Sequence, residues 1–215
     1  MDAWEKEPSL NQLLSIAKHF NSNSDWLLHG EQNMFKAEYA RTPESPIKGL
    51  GLLIKADRLH LIREMSRGAF AFVLDNSSGQ CSTYQTPYHI SEQTGSGGEA
   101  SLAWLMLTFE LLYLYYTQPG CDNKMSIKSY LMDSDTYSSL IDGKTHPKNA
   151  LRKASEASWW EDIWDKEQFN HVDYWEGWKP LCEKLAQKLE TTPYSMERAS
   201  LTAQLPLHTI SNPPK

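Results

Sequence analysis

The longest apolar run in the chain, residues 100–117 (ASLAWLMLTFELLYLYYT), limits the available folds more than any other feature. Its eighteen residues approach the length of a membrane span. However, Glu110 stands near the middle, and a carboxylate deep in a bilayer is costly. No cluster of Lys or Arg flanks either end, as an interfacial anchor would require. We therefore expect a core helix, apolar nearly all round, that ends at Pro119-Gly120.

A short β-hairpin is predicted before this run. Residues 69–74 (AFAFVL) have strand composition, the turn signal DNSSG follows, and residues 80–85 form a second candidate strand. Pro87 should end that second strand or place it at the edge of a sheet, because proline lacks a backbone N–H.

Helical spacing of apolar residues dominates the remaining segments. It favours helices over residues 49–65, 125–140 and 148–157, the last of them mildly basic. Residues 159–178 form a Trp-dense acidic segment, either a packed core or a surface for a cationic ligand or basic partner, and we favour the core. We therefore expect a mainly α (α+β) fold, with residues 49–192 a helix-rich domain containing one small hairpin. A polar linker over 35–48 should precede it, and a loose tail over 193–215 should follow.

The segment Trp4–Met34 carries the most specific pattern in the chain. Ser9 and Gln12 have the spacing of a capping box. A helical apolar stripe follows, Asn21–Asn23 interrupts it, and a second short helix should end at Gly30. The apolar positions expected to form the core of this helix pair are Leu10, Leu13, Leu14, Ala17, Phe20, Trp26 and Leu27.

The run WEKEPSLNQLLSIAKHFNSNSDWLLHGE resembles the second half of the Cro/C1-type (XRE, lambda-repressor-like) helix-turn-helix domain. The resemblance implies that a recognition helix ends near Trp4, that Ser9 opens the fourth helix of the family domain, and that residues 25–28 form the fifth. It covers residues 4–34 only.

The same resemblance predicts a domain truncated at its N-terminus. Only three residues precede Trp4, so the first two helices and most of the recognition helix have no counterpart. Either the true start lies upstream, the gene is truncated, or DNA binding has been lost. Lys6 is the one candidate for a phosphate contact. Residues 1–35 hold five acidic residues and two lysines, a balance that repels phosphate.

No residue pattern in the chain indicates catalysis or metal binding. The seven histidines lack zinc-ligand spacing, and the glycines of residues 94–98 (TGSGG) lack the lysine of a phosphate-binding loop. The pairs Cys81 with His89 and Cys182 with His171 are weak candidates for a nucleophile and its base. We therefore predict no enzyme activity, no cofactor and no metal. An odd number of widely spaced cysteines and the absence of a signal peptide predict a cytoplasmic protein.

The sequence thus predicts a Cro/C1-type transcriptional regulator whose C-terminal region serves oligomerisation or effector sensing. DNA would be a partner if the missing helices exist in the native protein, a homodimer is expected, and no membrane is involved. The alternative is a protein-interaction module, possibly prophage-derived, that retains part of the helix-turn-helix without binding DNA. A weaker alternative is an enzyme of unknown type built on residues 49–190.

Overall fold

A six-stranded mixed β-sheet organises the molecule. The computed structural model describes residues 7–41, 43, 45–117 and 125–204, the last three as backbone only. The strands of the sheet are β1 (Ala37–Tyr39), β2 (Arg58–Glu64), β3 (Ala69–Asp75), β4 (Cys81–His89), β5 (Ser126–Met132) and β6 (Ser155–Glu156).

Helices cover both faces of this sheet. They are α1 (Leu10–Phe20), α2 (Ser24–His29), α3 (Pro46–Leu53), α4 (Ser96–Thr117), α5 (Ser134–Ile141), α6 (Pro147–Leu151), α7 (Trp159–Asp162), α8 (Trp178–Leu189) and α9 (Tyr194–Gln204). None of the helices in the described ranges combines the length and apolar character that crossing a membrane requires.

The strand order is β1-β4-β3-β2-β5-β6. Strands β2, β3 and β4 form an antiparallel meander, and α4 then carries the chain across to β5, which runs parallel to β2. Because β2 and β5 are parallel, Glu64 and Met132 lie side by side at their shared carboxyl ends.

The alternation of side chains along β2 divides the core into two layers. Leu59 and Leu61 face the large cluster formed by α4, α7 and α8. Ile62 faces the opposite layer, where Tyr137 of α5 and Ala150 of α6 pack on the sheet. The Trp-dense segment belongs to the large cluster, and Trp159, Trp160 and Trp178 are completely buried there.

The expectation of a mainly α fold is therefore wrong, since a substantial sheet forms the core. Residues 125–140 were predicted to be one helix but form β5 and then α5, and residues 49–65 divide into the end of α3 and all of β2. Short apolar segments satisfy helical and strand periods almost equally. Strands with both faces covered lose the polar–apolar alternation that identifies an exposed strand.

The predicted hairpin and the predicted central helix are confirmed as β3–β4 and α4.

Pro87 does not end β4 or place it at an edge. It lies in a bulge, where Thr86–Tyr88 oppose the single residue Phe70 between the pairs Ala69–His89 and Ala71–Gln85. A bulge tolerates proline because the ladder hydrogen bond is already interrupted there.

Candidate nucleic-acid interface

A buried carboxylate, Asp75, contacts two cationic side chains. Arg58, Asp75 and Cys81 form one row across β2, β3 and β4. Arg58 Nη1 lies 3.5 Å from Asp75 Oδ2, and Lys148 Nζ of α6 lies 3.2 Å from Asp75 Oδ1. Asp75 therefore anchors two cations that themselves remain accessible, with side chains 63% and 38% exposed.

His60 lies half-buried beside this row. Its Nδ1 atom is 3.2 Å from the hydroxyl oxygen of Tyr130 on the neighbouring strand. Burial lowers the pKa of His60, the charge of Asp75 opposes that effect, and Arg58, Lys128 and Lys148 lower it further. Lys128 lies directly opposite His60 on β5, and Arg58 and Lys148 both contact Asp75 beside it, so the three cations lie in one region.

Helix α6 adds further positive charge to this region. Residues 144–153 (KTHPKNALRK) contain four basic residues and no acidic one, in a chain whose net charge is −6. The His146 side chain caps α6 by accepting a hydrogen bond from Lys148 N at 3.2 Å. Burial lowers the pKa of His146, and so do the charges of Lys148 and Arg152. Several negative groups offset part of this charge, among them Asp75, Asp142 through its ion pair with Lys144 at 2.6 Å, and Glu156 through its ion pair with Lys128 at 2.8 Å.

The N-terminal helix pair docks at the same end of the sheet. Asn21 Nδ2 donates to Cys81 O at 2.9 Å, and Gln80 Nε2 donates to Lys18 O at 3.0 Å. The Phe35 ring also makes an edge contact with His146, at 5.1 Å between centroids. The C-terminal end of α1, with its basic residues Lys18 and His19, therefore adjoins the region around α6. We call Lys18, Arg58, Lys128, Lys148, Arg152 and Lys153 together the basic surface.

The helix pair itself has the predicted local structure. The capping box of Ser9 and Gln12 is present, Asn21 ends α1 in the left-handed conformation, and Gly30 ends α2 in the same way. The Asn23 side chain accepts the capping hydrogen bond of α2 from Asp25 N.

The apolar residues of this pair are unequally covered. Ala17 is buried, whereas Leu10 and Phe20 are 59% and 56% exposed and Leu14 is also exposed. Leu13, Trp26 and Leu27 are half-buried. Lys6, the predicted phosphate contact, lies outside the described residues.

The structure does not support the two candidate nucleophile–base pairs. Cys81 and His89 stand at opposite ends of β4, and Cys182 is buried whereas His171 is exposed. Burial, with the charge of Asp75, raises the pKa of the Cys81 thiol to about 12, which leaves it protonated and unreactive. The described residues also contain no group of three metal-ligating side chains.

Most of the basic surface has no local signature in the sequence. Arg58 and Lys128 lie in segments predicted to be helical, so nothing indicated that they are on adjacent strands. The basic composition of residues 148–157 was the one available signal. Comparison of the chain with protein-family models, characterised proteins and solved structures finds no match.

Proposed function

We propose that this protein is a DNA-binding regulator of Cro/C1 ancestry that holds the phosphate backbone through the basic surface. The observation that carries the proposal is the placement of Arg58 and Lys148 on either side of Asp75, with Lys128 directly opposite His60 on the neighbouring strand, in a chain of net charge −6. Cations clustered on one face are the electrostatic signature of a phosphate-binding protein.

The geometry supports backbone binding more than base reading. Asp75 holds the cationic ends of Arg58 and Lys148 in place while both side chains remain partly exposed, so little side-chain entropy is lost when a phosphate is bound. Helix α6, with five residues, is too short to present a series of side chains to base edges in a groove. Phosphate contacts position a protein on DNA without specifying sequence.

The resemblance of residues 4–34 to the Cro/C1 domain supports the regulatory role and the choice of DNA. A homodimer in the cytoplasm belongs to the same proposal, since the family usually recognises twofold operators.

Fluorescence anisotropy with a labelled 20-base-pair duplex tests this proposal. We expect micromolar binding in 50 mM salt that weakens steeply as salt increases, because each phosphate contact releases counterions. The double substitution Arg152→Gln/Lys153→Gln should weaken binding roughly tenfold and reduce the salt slope by about 2. Lys166→Gln/Lys179→Gln is the charge-matched control, because both lysines are exposed beyond the large cluster on the opposite face.

Equal losses in the two double variants would contradict the proposed surface. Absence of salt-dependent binding by the wild type would contradict DNA binding altogether.

A second candidate function, a protein-interaction module, is favoured by the exposed apolar residues of α1. Leu10, Leu14, Ile16 and Phe20 are all more than 40% exposed on a helix of 11 residues. Exposed apolar patches commonly mark protein contacts. Co-purification of a defined partner that is lost in Leu10→Gln/Phe20→Gln, with no DNA binding by the wild type, would favour this alternative.

A further inference from the structure

A groove of about 430 Å³ lies between α5 and the bulged part of the β3–β4 hairpin, and no step of the proposed DNA binding uses it. Its volume falls within the range of small-molecule sites. From the groups that line it, we propose that this groove binds a small organic carboxylate.

The position of the groove favours a binding site. It lies at the carboxyl ends of the parallel strands β2 and β5, the edge of a sheet where ligands commonly bind in α/β folds. The bulge at Thr86–Tyr88 interrupts the β3–β4 ladder beside it, and bulges are over-represented next to functional sites. Two independent features of the sheet therefore converge on this groove.

Glu64, the one carboxylate among the described residues of the groove lining, is already satisfied within the protein. Ser66 N and the Ser134 hydroxyl donate to its Oε1 atom, and Arg67 N donates to Oε2. Burial favours the protonated form, but these hydrogen bonds outweigh it and hold the pKa of Glu64 below its ordinary value. Glu64 therefore stays ionised and holds Ser66, Arg67 and Ser134 in place around the groove. Its oxygens have little capacity left for a cationic ligand.

Apart from Glu64, the described polar side chains that line the groove carry no negative charge, and Arg67 is cationic. The guanidinium of Arg67 makes no ion pair or hydrogen bond within the described part of the chain. The Gln85 amide lies on the same rim, and His89 Nδ1 lies 3.4 Å from the carbonyl oxygen of Arg67. A guanidinium with a neighbouring amide donor is complementary to a carboxylate, which arginine binds with two parallel hydrogen bonds.

The floor of the groove is partly apolar. Ala69, the Tyr137 ring and Ile141 line it, and Tyr137 is buried. An apolar body attached to the carboxylate would cover this floor, so the site should prefer an organic anion to an inorganic one.

Two-dimensional NMR of the ¹⁵N-labelled full chain tests the proposal, with benzoate as the probe. We expect benzoate to shift the amide signals of Ala69 and Ser138 with a millimolar dissociation constant, as befits a ligand of so few atoms. Acetate, inorganic phosphate and benzylamine serve as comparison probes, and each should bind at least about fivefold more weakly.

Two substitutions distinguish a specific site from general attraction of anions. Arg67→Gln should weaken benzoate binding about tenfold through loss of the paired hydrogen bonds, whereas Lys179→Gln, on the opposite face, should leave it unchanged. Ser138→Trp, at an exposed position of α5 on the groove wall, should abolish binding by filling the groove while leaving DNA affinity unchanged.

The proposal is overturned if benzoate shifts no signal around the groove up to about 20 mM, a concentration at which even a weak fragment binds. It is also overturned if phosphate or benzylamine binds as tightly as benzoate, or if Arg67→Gln and Lys179→Gln have equal effects. The benzoate titrations do not involve DNA, so failure here is separable from failure of the proposed DNA binding.

Discussion

Lys148 Nζ lies 3.2 Å from Asp75 Oδ1, so a carboxylate at the end of β3 holds the basic helix α6 against the sheet. Asp75 is buried, yet both of its cationic partners reach solvent. The positive surface of the protein is therefore built around an internal negative charge, which fixes the positions of Arg58 and Lys148 and partly neutralises them.

Replacing Asp75 with Asn should separate these two effects. In this variant the positive charges of Arg58 and Lys148 are no longer partly neutralised. We therefore expect the affinity for duplex DNA to rise about threefold at low salt. The free energy of unfolding should fall by about 1–2 kcal/mol, because two ion pairs lose their negative partner.

Anisotropy titration and urea denaturation measure the two quantities. Asp173→Asn, an exposed carboxylate in the Trp-dense segment, is the matched control. A fall in DNA affinity in Asp75→Asn would show that the anchoring of the cations matters more than their net charge.

Arg63 should be the most stabilising charged side chain at the end of β2. It is buried, and its guanidinium carbon lies 3.8 Å from the Trp175 ring centroid. Nε donates to Ile90 O at 2.9 Å, and Nη1 donates to Glu64 O and Met65 O at 3.2 and 3.3 Å. Burial lowers the pKa of Arg63 to about 10, so it remains charged at neutral pH.

Arg63→Leu should therefore lower the free energy of unfolding by about 3 kcal/mol, because three carbonyl acceptors lose a charged donor and the cation–π contact disappears. Urea denaturation provides the measurement. Arg67→Leu, at an exposed position four residues along the chain, should change stability by less than about 0.5 kcal/mol. Similar losses in both variants would contradict this account of Arg63.

Two positions on the same face of α1, seven residues apart, should respond differently to polar substitution because one is buried and the other is exposed. Ala17 is buried, so Ala17→Glu places a charge in a closed contact and should cost about 2–3 kcal/mol. Leu10→Gln exchanges an exposed side chain and should change stability by less than about 0.5 kcal/mol. Thermal unfolding, monitored by circular dichroism, measures the stability of the two variants. A large loss in Leu10→Gln would indicate that the face is covered in solution, as in an oligomer.

Stability should decrease in mildly acidic solution through His60. Burial lowers its folded-state pKa below the ordinary value of 6.5, so the unfolded chain takes up the proton first as the pH falls. The contribution of neutral His60 is therefore fully present above about pH 6.5 and is lost as the pH falls from there through the lowered folded-state pKa.

Urea denaturation between pH 7.5 and 5 should show a shallower pH dependence in His60→Gln than in the wild type. His171→Gln, at an exposed position, is the control. An unchanged slope in His60→Gln would contradict the assignment of this effect to His60.

The sequence alone determined the features that depend on neighbouring residues. The capping box of Ser9 and Gln12, the left-handed end of α2 at Gly30, the turn between β3 and β4 and the apolar helix α4 all follow from contacts within a few residues. Capping, turn formation and an apolar run are local in origin, and their patterns can be read without knowing the fold.

Only the tertiary structure decided where the charges and the sheet would lie. Arg58 and Lys128 are seventy residues apart but stand on adjacent parallel strands because α4 carries the chain back across the sheet. Whether residues 125–132 form a strand depends on the vacant edge of β2 beside them, not on their own periodicity. Both the basic surface and the groove beside α5 arise from such long-range pairing, because neighbours brought together by the sheet leave no pattern within any one segment.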